Sequence, residues 1–362
     1  MKVLSLFDGI SCGMVALERA GIYVEKYVAY EIDENAIKVS KHNYPQIEHC
    51  GDVTKADFTQ YKGFDLLIGG SPCQDLCGMG SREGLVGEKS KLFFEFVRAL
   101  KEVHPRYFLL ENNASMSKEN RDIISSYMGC EPVLINSADF SAQIRKRLYW
   151  TNIPIGEYEP KNIVIQNILQ NDIPRECVTD KINKYVFSGE YAGRKIEKTT
   201  RNSIRTPEQK SRTIGTCSYD ISSNAGICFK IGDEYYKPNQ IEFERLQTLP
   251  DGYTSVLPIK KAVFGIGNGW TADVIAHILK GLKVKEYNAI CPLTNMAKPI
   301  TEYKMTNADR IRAMSDEELA HMLWKTGRNY RAVCADPAVD YTVQHEHIID
   351  WLRKPVGEEA LC

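Results

Sequence analysis

Up to about Asn152 the chain alternates short runs of β-branched and aromatic residues with longer amphipathic stretches, and no other feature restricts its fold as tightly. A run that is apolar at nearly every position needs burial on both faces, which a parallel sheet covered by helices supplies. The spacing predicts strands at Val3–Phe7, Tyr27–Tyr30, Asp65–Ile68, Tyr107–Leu110, Pro132–Asn136 and Arg147–Trp150. Helices are predicted between them at Met14–Ala20, Asn35–Asn43, Lys91–Val103 and Glu119–Met128. The expected fold class is α/β, a doubly wound and mostly parallel sheet, which binds ligands outside the carboxyl ends of its strands.

From about Pro154 to Gln240 the period breaks down and Asn, Ser, Thr, Lys and Arg accumulate, among them Arg194, Lys195, Lys198, Arg201, Arg205, Lys210 and Arg212. Helical order returns at Ile241–Leu249 and at Val263–Leu282, where Trp270-Thr271-Ala272-Asp273 opens a helix. The expected division is therefore a main domain at 1–153, a smaller basic unit at 154–240, a return to the main domain at 241–283 and an extension at 284–362. No internal repeat or low-complexity tract interrupts it.

No stretch approaches the roughly 18 apolar residues of a membrane span. Met1 to Phe7 reads straight into a strand, not into a signal peptide, so the expected location is the cytoplasm. Lys+Arg 46 against Asp+Glu 47 leaves a net charge of −1, so total charge neither announces nor excludes nucleic acid. Eleven cysteines without paired spacing argue for reduced thiols. Cys73 and Cys77 lack a second pair or a nearby histidine for a zinc set, so no metal is expected.

Six places carry chemistry. "LFDGISCG" (Leu6–Gly13) follows the first strand and precedes the first helix, where exposed backbone N–H groups suit a nucleotide-like ligand; a plain strand-to-helix turn uses the same glycines. Glu31 ends the second strand, where a carboxylate can accept from ribose hydroxyls, and Asp52 follows the next short element, where it can hold an adenine amino group. An acid in each place without GxGxxG favours a nucleoside cofactor over a dinucleotide.

Cys73 follows Gly-Gly-Ser-Pro, a turn that lifts its thiol out of the fold, and Glu111 ends the strand of "YFLLENN". "QIRKRLYW" adds Gln143, Arg145 and Arg147, with both arginines on one side of a strand. Each charge alone reads as solvated surface. Together at one sheet edge they make a nucleophile, a proton donor and two anchoring cations.

"LFDGISCG", "GGSPCQDL", "LLENN", "QIRKRLYW", "ERLQTLPDGY" and "GIGNGW", in that order, resemble the DNA (cytosine-5) methyltransferases from the N-terminus to about Leu282. "GGSPCQDL...SREGL...KLFFEFVRAL" is most similar to the catalytic domains of the de novo branch, in a chain of bacterial or phage type. The resemblance implies a Rossmann-like class I methyltransferase fold with a target recognition domain in the basic middle. It also implies S-adenosylmethionine as cofactor and double-stranded DNA as substrate, with a restriction endonuclease as a candidate partner.

By the same resemblance, Cys73 adds to cytosine C6 and Glu111 holds or protonates ring N3. Arg145 binds the O2 edge and orients Glu111, and Arg147 braces the strand or a phosphate. Cofactor contacts fall on Phe7, Asp8, Gly9, Ile10, Glu31, Ile32, Asp52, Val53, Ser71, Pro72, Asn268 and Trp270. DNA contacts fall on Gln74, Ser81, Arg82, Gln143, Arg205 and Arg212, with Cys77–Ser90 as the loop that closes over the flipped base.

Asn113 stands where the family usually has valine, a change expected in packing more than in chemistry. Met305–Leu323 resembles the start of small bacteriophage-associated proteins. His345 and His347 near Cys334 read as a solvated helix start. Two rivals remain: an RNA cytosine methyltransferase on the same scaffold, and a catalytically silent DNA-binding protein. Pro72-Cys73-Gln74 and the long basic unit favour DNA over RNA, and retention of Cys73, Glu111, Arg145 and Arg147 together favours an enzyme.

Overall fold

The computed structural model of the chain describes residues 1–71, 88–184, 204–221 and 225–283. Pro72, Cys73, Gln74, Ser81, Arg82, Arg194, Lys195, Lys198, Arg201 and the extension from 284 lie outside the described residues. The chain divides into two compact units, Met1–Pro292 and Leu293–Cys362, and all described residues belong to the first.

Seven strands form the main sheet: β1 (Lys2–Leu6), β2 (Lys26–Tyr30), β3 (Glu48–His49), β4 (Leu66–Gly69), β5 (Tyr107–Asn113), β6 (Val133–Asn136) and β7 (Lys146–Thr151). Their order is β3-β2-β1-β4-β5-β7-β6, parallel from β3 through β5, with β7 antiparallel to both of its neighbours. This is the doubly wound, mostly parallel sheet that the sequence pattern predicts. The order reverses between β1 and β4, and the crevice at such a switch point is where a ligand sits.

Sequence patterning explains these elements. Val3, Leu4 and Leu6 of β1 and Leu66, Leu67 and Ile68 of β4 are fully buried, as central parallel strands require. Helix α1 (Cys12–Arg19) follows β1, and α2 (Glu34–Asn43) starts where Asp33 Oδ1 accepts from the N–H groups of Asn35 and Ala36 at 2.8 and 2.9 Å. Helix α3 (Glu88–Val103) precedes β5, and α4 (Lys118–Met128) is capped by Ser117 and stopped by Gly129 at φ 67°.

Most element boundaries fall within one to three residues of the sequence expectation, and three differences have a clear physical cause. β3 is two residues of mixed polarity, too short for any periodic signal. β5 runs three residues beyond Leu110, because β7 continues to pair with it after β4 has ended. β7 begins at Lys146, which leaves Arg145 in the turn before it.

The middle segment carries a three-stranded sheet, β8 (Ile204–Arg205), β9 (Cys228–Ile231) and β10 (Glu234–Tyr236). It shares the main core, since Ile165, Ile214, Ile227 and Phe229 cluster with Val3 and Ile10. Lys210, one of its basic residues, has an internal job: its ammonium donates to the carbonyls of Ala138, Ser141 and Ile163 at 2.6, 3.0 and 2.6 Å. Desolvation holds its pKa below the ordinary lysine value. Beyond the middle segment, the helix Ala272–Leu279 packs on α1 and completes the domain.

Candidate active site

The turn from β1 to α1 places Phe7, Gly9 and Ser11 in the left-handed region, at φ 58°, 60° and 60°. For Phe7 and Ser11 this conformation costs about 1–2 kcal/mol each, and two carboxylates hold it in place. Asp8 accepts from Ser5 Oγ and the Tyr27 hydroxyl, each at 2.6 Å, and from Ser11 Oγ. Burial raises the Asp8 pKa above its ordinary value, partly offset by those hydroxyls. Glu31 Oε2 accepts from Gly9 N–H at 2.7 Å, while its Oε1 accepts from the N–H groups of Ile32 and Asp33 at 2.8 Å each. With roughly four acceptor sites on a carboxylate, one remains on Oε2 for an incoming hydroxyl.

This turn floors a cleft of about 320 Å³ at the switch point. Phe7, Gly9, Glu31 and Ile32 line one end, with Asp52 and Val53 beyond them. Ile32 and Phe264, 73% and 46% exposed, offer apolar surface there. Asp52 Oδ1 accepts from Thr54 N–H and Oγ1 at 3.0 and 2.8 Å, which holds its pKa below the ordinary value, while its Oδ2 has Lys55 at 3.9 Å. Gly70, Ser71, Asn268, Glu111 and Arg147 line the other end.

Glu111 reaches this crevice through strand register. The β4–β5 ladder stops at Gly69 opposite Leu110, so the next residue of β5 lies beyond the end of β4. Across β7, Glu111 pairs with Tyr149 and Asn113 with Arg147, which puts Glu111 and Arg147 diagonally on one face. Arg147 Nε lies 2.9 Å from Glu111 Oε1, and the Trp270 indole N–H donates to Oε2 at 3.0 Å. Both carboxylate oxygens are therefore fixed.

The structure reassigns several residues. Arg145 is buried and donates to the carbonyls of Ile214, Gly267 and Gly269 at 2.9, 3.2 and 3.0 Å; among the described contacts, the ion pair to Glu111 belongs to Arg147. Arg145 also lines the cleft that holds Glu111, and the donors described for it hold backbone carbonyls beside that cleft.

Gln143, expected on DNA, is fully buried. Its amide donates to Leu246 O and Gln247 Oε1, both at 3.0 Å, and accepts from Ile214 N–H at 2.7 Å. Ile10 is fully buried and its carbonyl takes the Tyr253 hydroxyl at 2.6 Å, so its side chain does not line the cleft. Asp8 shapes the turn from beneath and Trp270 meets the cleft through Glu111, so neither is a wall residue.

Arg205 and Arg212 are half-buried and lie close enough that Arg212, after desolvation, helps lower the Arg205 pKa. Sequence reasoning missed Gly70, Asn112 and Phe264. Asn112 Nδ2 bonds Ser71 Oγ at 3.2 Å, tying β5 to the segment that enters Pro72-Cys73. "ENN" was the available signal for it; no sequence signal marked Phe264.

A family model described as C-5 cytosine-specific DNA methylase matches residues 1–284. The chain is similar to the orphan methyltransferase M.Rho11sI of Bacillus phage rho11s, 35% identical over 161 residues, 41% of this chain and 32% of that protein. It is similar to the type II methyltransferase M.FnuDI of Fusobacterium nucleatum, 28% identical over 334 residues, 78% of this chain and 94% of that protein. The matches span only 32% and 37% of the two phage relatives' lengths.

Among solved structures, the S. pombe Dnmt2 methyltransferase superposes with TM-score 0.59 at 18% identity, over 78% of this chain and 99% of that one. The Entamoeba histolytica methyltransferase EhMeth superposes with TM-score 0.64 at 16% identity, over 78% and 97%. At those identities the likeness is one of fold.

Proposed function

This chain belongs to the C-5 cytosine-specific DNA methylases, whose cofactor is S-adenosylmethionine, and from that membership we propose that it methylates cytosine C5 in double-stranded DNA. The observation that carries the proposal is the Glu111 carboxylate, fixed at the open end of β5 beside the backbone that leads to Cys73. A Cβ on Gly70 would lie 3.0 Å from Glu111 Oε2, and Cys73 follows three residues later. Three residues span at most about 11 Å, so thiol and carboxyl can meet on one pyrimidine ring.

The cleft fits the cofactor. Glu31 has an acceptor site left for a ribose hydroxyl, Asp52 has its second oxygen for an adenine amine, and Ile32 and Phe264 present apolar surface to an adenine ring. When bound, S-adenosylmethionine supplies an electrophilic methyl group. The Cys73 thiolate adds to C6 of a cytosine swung out of the duplex, and Glu111 holds or donates a proton at N3. The resulting enamine gives C5 the electron density to take the methyl group. A base then removes the C5 proton, and the thiolate leaves C6. Arg147 keeps Glu111 in place throughout.

Bisulfite sequencing of DNA from cells expressing the protein tests the activity and reads the site together, a site that any cognate restriction endonuclease would have to spare. Methyl incorporated into RNA alone, or into nothing, would overturn the proposal. No helix among the described residues is long and apolar enough to cross a membrane.

The cofactor assignment has its own test. Glu31→Ala removes an acceptor and releases Gly9 N–H, so S-adenosylmethionine affinity is expected to fall at least tenfold in calorimetry, with DNA affinity unchanged. Asp52→Ala should weaken the same affinity by less, since that carboxylate is open to water. Unchanged affinity in both would remove these acids from the cofactor site.

For DNA, Arg205→Ala with Arg212→Ala should flatten the salt dependence of binding by about one unit of slope per lost phosphate contact. Lys210→Ala is expected to lower stability instead, because its donors serve carbonyls. Fluorescence anisotropy across a salt series separates them; an unchanged slope in the arginine variants would leave that pair a solvated surface.

A further inference from the structure

We propose that Trp270 is a positioning residue for Glu111, and that Arg145 acts on the same carboxylate by holding the backbone on which Trp270 sits. The inference rests on the methyltransferase reading and deepens it. Glu111 is clamped by unlike donors, a charged guanidinium on Oε1 at 2.9 Å and a neutral indole on Oε2 at 3.0 Å. A single donor leaves a carboxyl group free to turn about its Cγ–Cδ bond. Donors on separate oxygens fix its plane, which decides whether a lone pair or a proton on it points at a ring nitrogen.

Three observations indicate that the indole is held for this purpose. Gly70 makes the space: a Cβ there would lie 2.9 Å from Trp270 Nε1 and 3.0 Å from Glu111 Oε2, against the bond itself. The backbone before the indole is tied twice, since Gly269 O accepts from Arg145 Nη2 and from Gln247 Nε2, both at 3.0 Å. The backbone after it is tied as well, since Thr271 Oγ1 bonds Ser137 Oγ at 2.8 Å and Gln247 Oε1 at 2.7 Å. An indole that only filled space would require neither the glycine nor an N–H aimed at a carboxylate. Both arginines of "QIRKRLYW" thereby serve Glu111, Arg147 directly and Arg145 through Gly269.

The test is Trp270→Phe, which keeps an aromatic ring and deletes the donor, measured in the full-length chain by steady-state methyl transfer to DNA carrying the target site. Expected is a fall of about tenfold in kcat with KM for DNA and for S-adenosylmethionine within twofold, and no further fall when the substitution is made in Glu111→Gln. Gly70→Ala, which crowds the bond and leaves the indole in place, should lower kcat in the same way and keeps the test open if Trp270→Phe folds poorly.

Unchanged kcat, an effect of equal size with and without the Glu111 carboxylate, or a rise confined to the cofactor KM would each overturn the proposal; the last would make Trp270 a cofactor wall. A wild-type protein that transfers no methyl group would instead bring down the methyltransferase reading on which it rests.

Discussion

Cys73→Ser is expected to lower methyl transfer by about a thousandfold or more while S-adenosylmethionine still binds. A thiol with an ordinary pKa near 8.5 is a few per cent ionised at neutral pH, and its thiolate is a strong nucleophile toward C6. A serine hydroxyl is almost wholly protonated there, and no general base is positioned for it by the proposed chemistry. DNA containing 5-fluorocytosine should form a covalent complex with the wild-type chain, because fluorine at C5 blocks the elimination that releases the thiolate. That complex should be absent with serine. Trapping that survives the substitution would take the nucleophile's role from Cys73. Cofactor affinity, measured by calorimetry on the same sample, separates loss of chemistry from loss of fold.

The second large effect divides two arginines that look alike in sequence. Arg145→Ala should destabilise the domain by about 2–5 kcal/mol, since a buried carbonyl left without its donor costs about 1–3 kcal/mol. It strips donors from the carbonyls of Ile214, Gly267 and Gly269 at the wall of the cleft. Arg147→Ala leaves the largely buried Glu111 carboxylate without its cation, so it should lower the urea midpoint as well and, where the variant is folded, lower kcat by about a hundredfold. Urea unfolding read beside turnover decides between them. An Arg145 variant as stable as the wild type would mean that those carbonyls find other donors, and that the residue's work lies elsewhere.

The contrast also marks how far the sequence could be read. Strands apolar at every position announced the sheet, and Asp33, Ser117 and Gly129 mark the ends of helices close to where spacing put them. A two-residue strand such as β3 leaves no period to detect. The acids at Glu31 and Glu111 were visible because a charge after an apolar run is conspicuous. The partners of Glu111 were harder to see: Arg145 and Arg147 differ only in which side of a strand boundary they fall, and that boundary is set by pairing with β6 at Lys146 and with β5 from Arg147. Gln143 and Lys210 carry the same lesson. A polar or basic residue near a site reads as a ligand contact until its donors are traced to carbonyls inside the fold, and those carbonyls come from segments up to 104 residues away in the chain. Trp270 shows the converse, since an aromatic residue in a glycine-rich turn suggests a cofactor wall and its N–H was the informative atom.

The cleft is bounded by the first strand-to-helix turn on one side and by residues 264–268 on the other. A hydroxyl at Tyr253 reaches back across 243 positions to Ile10. During synthesis, a nascent chain that has completed all seven strands still has about a hundred residues to add before that far wall exists, a delay of roughly 5–20 s at the usual pace of a ribosome. Until then the face of α1 that the helix Ala272–Leu279 will cover stands open to solvent, and the cleft lacks Phe264 and Trp270. The wait for the far wall leaves that apolar face open to aggregation and proteolysis until just before the cleft can first bind cofactor.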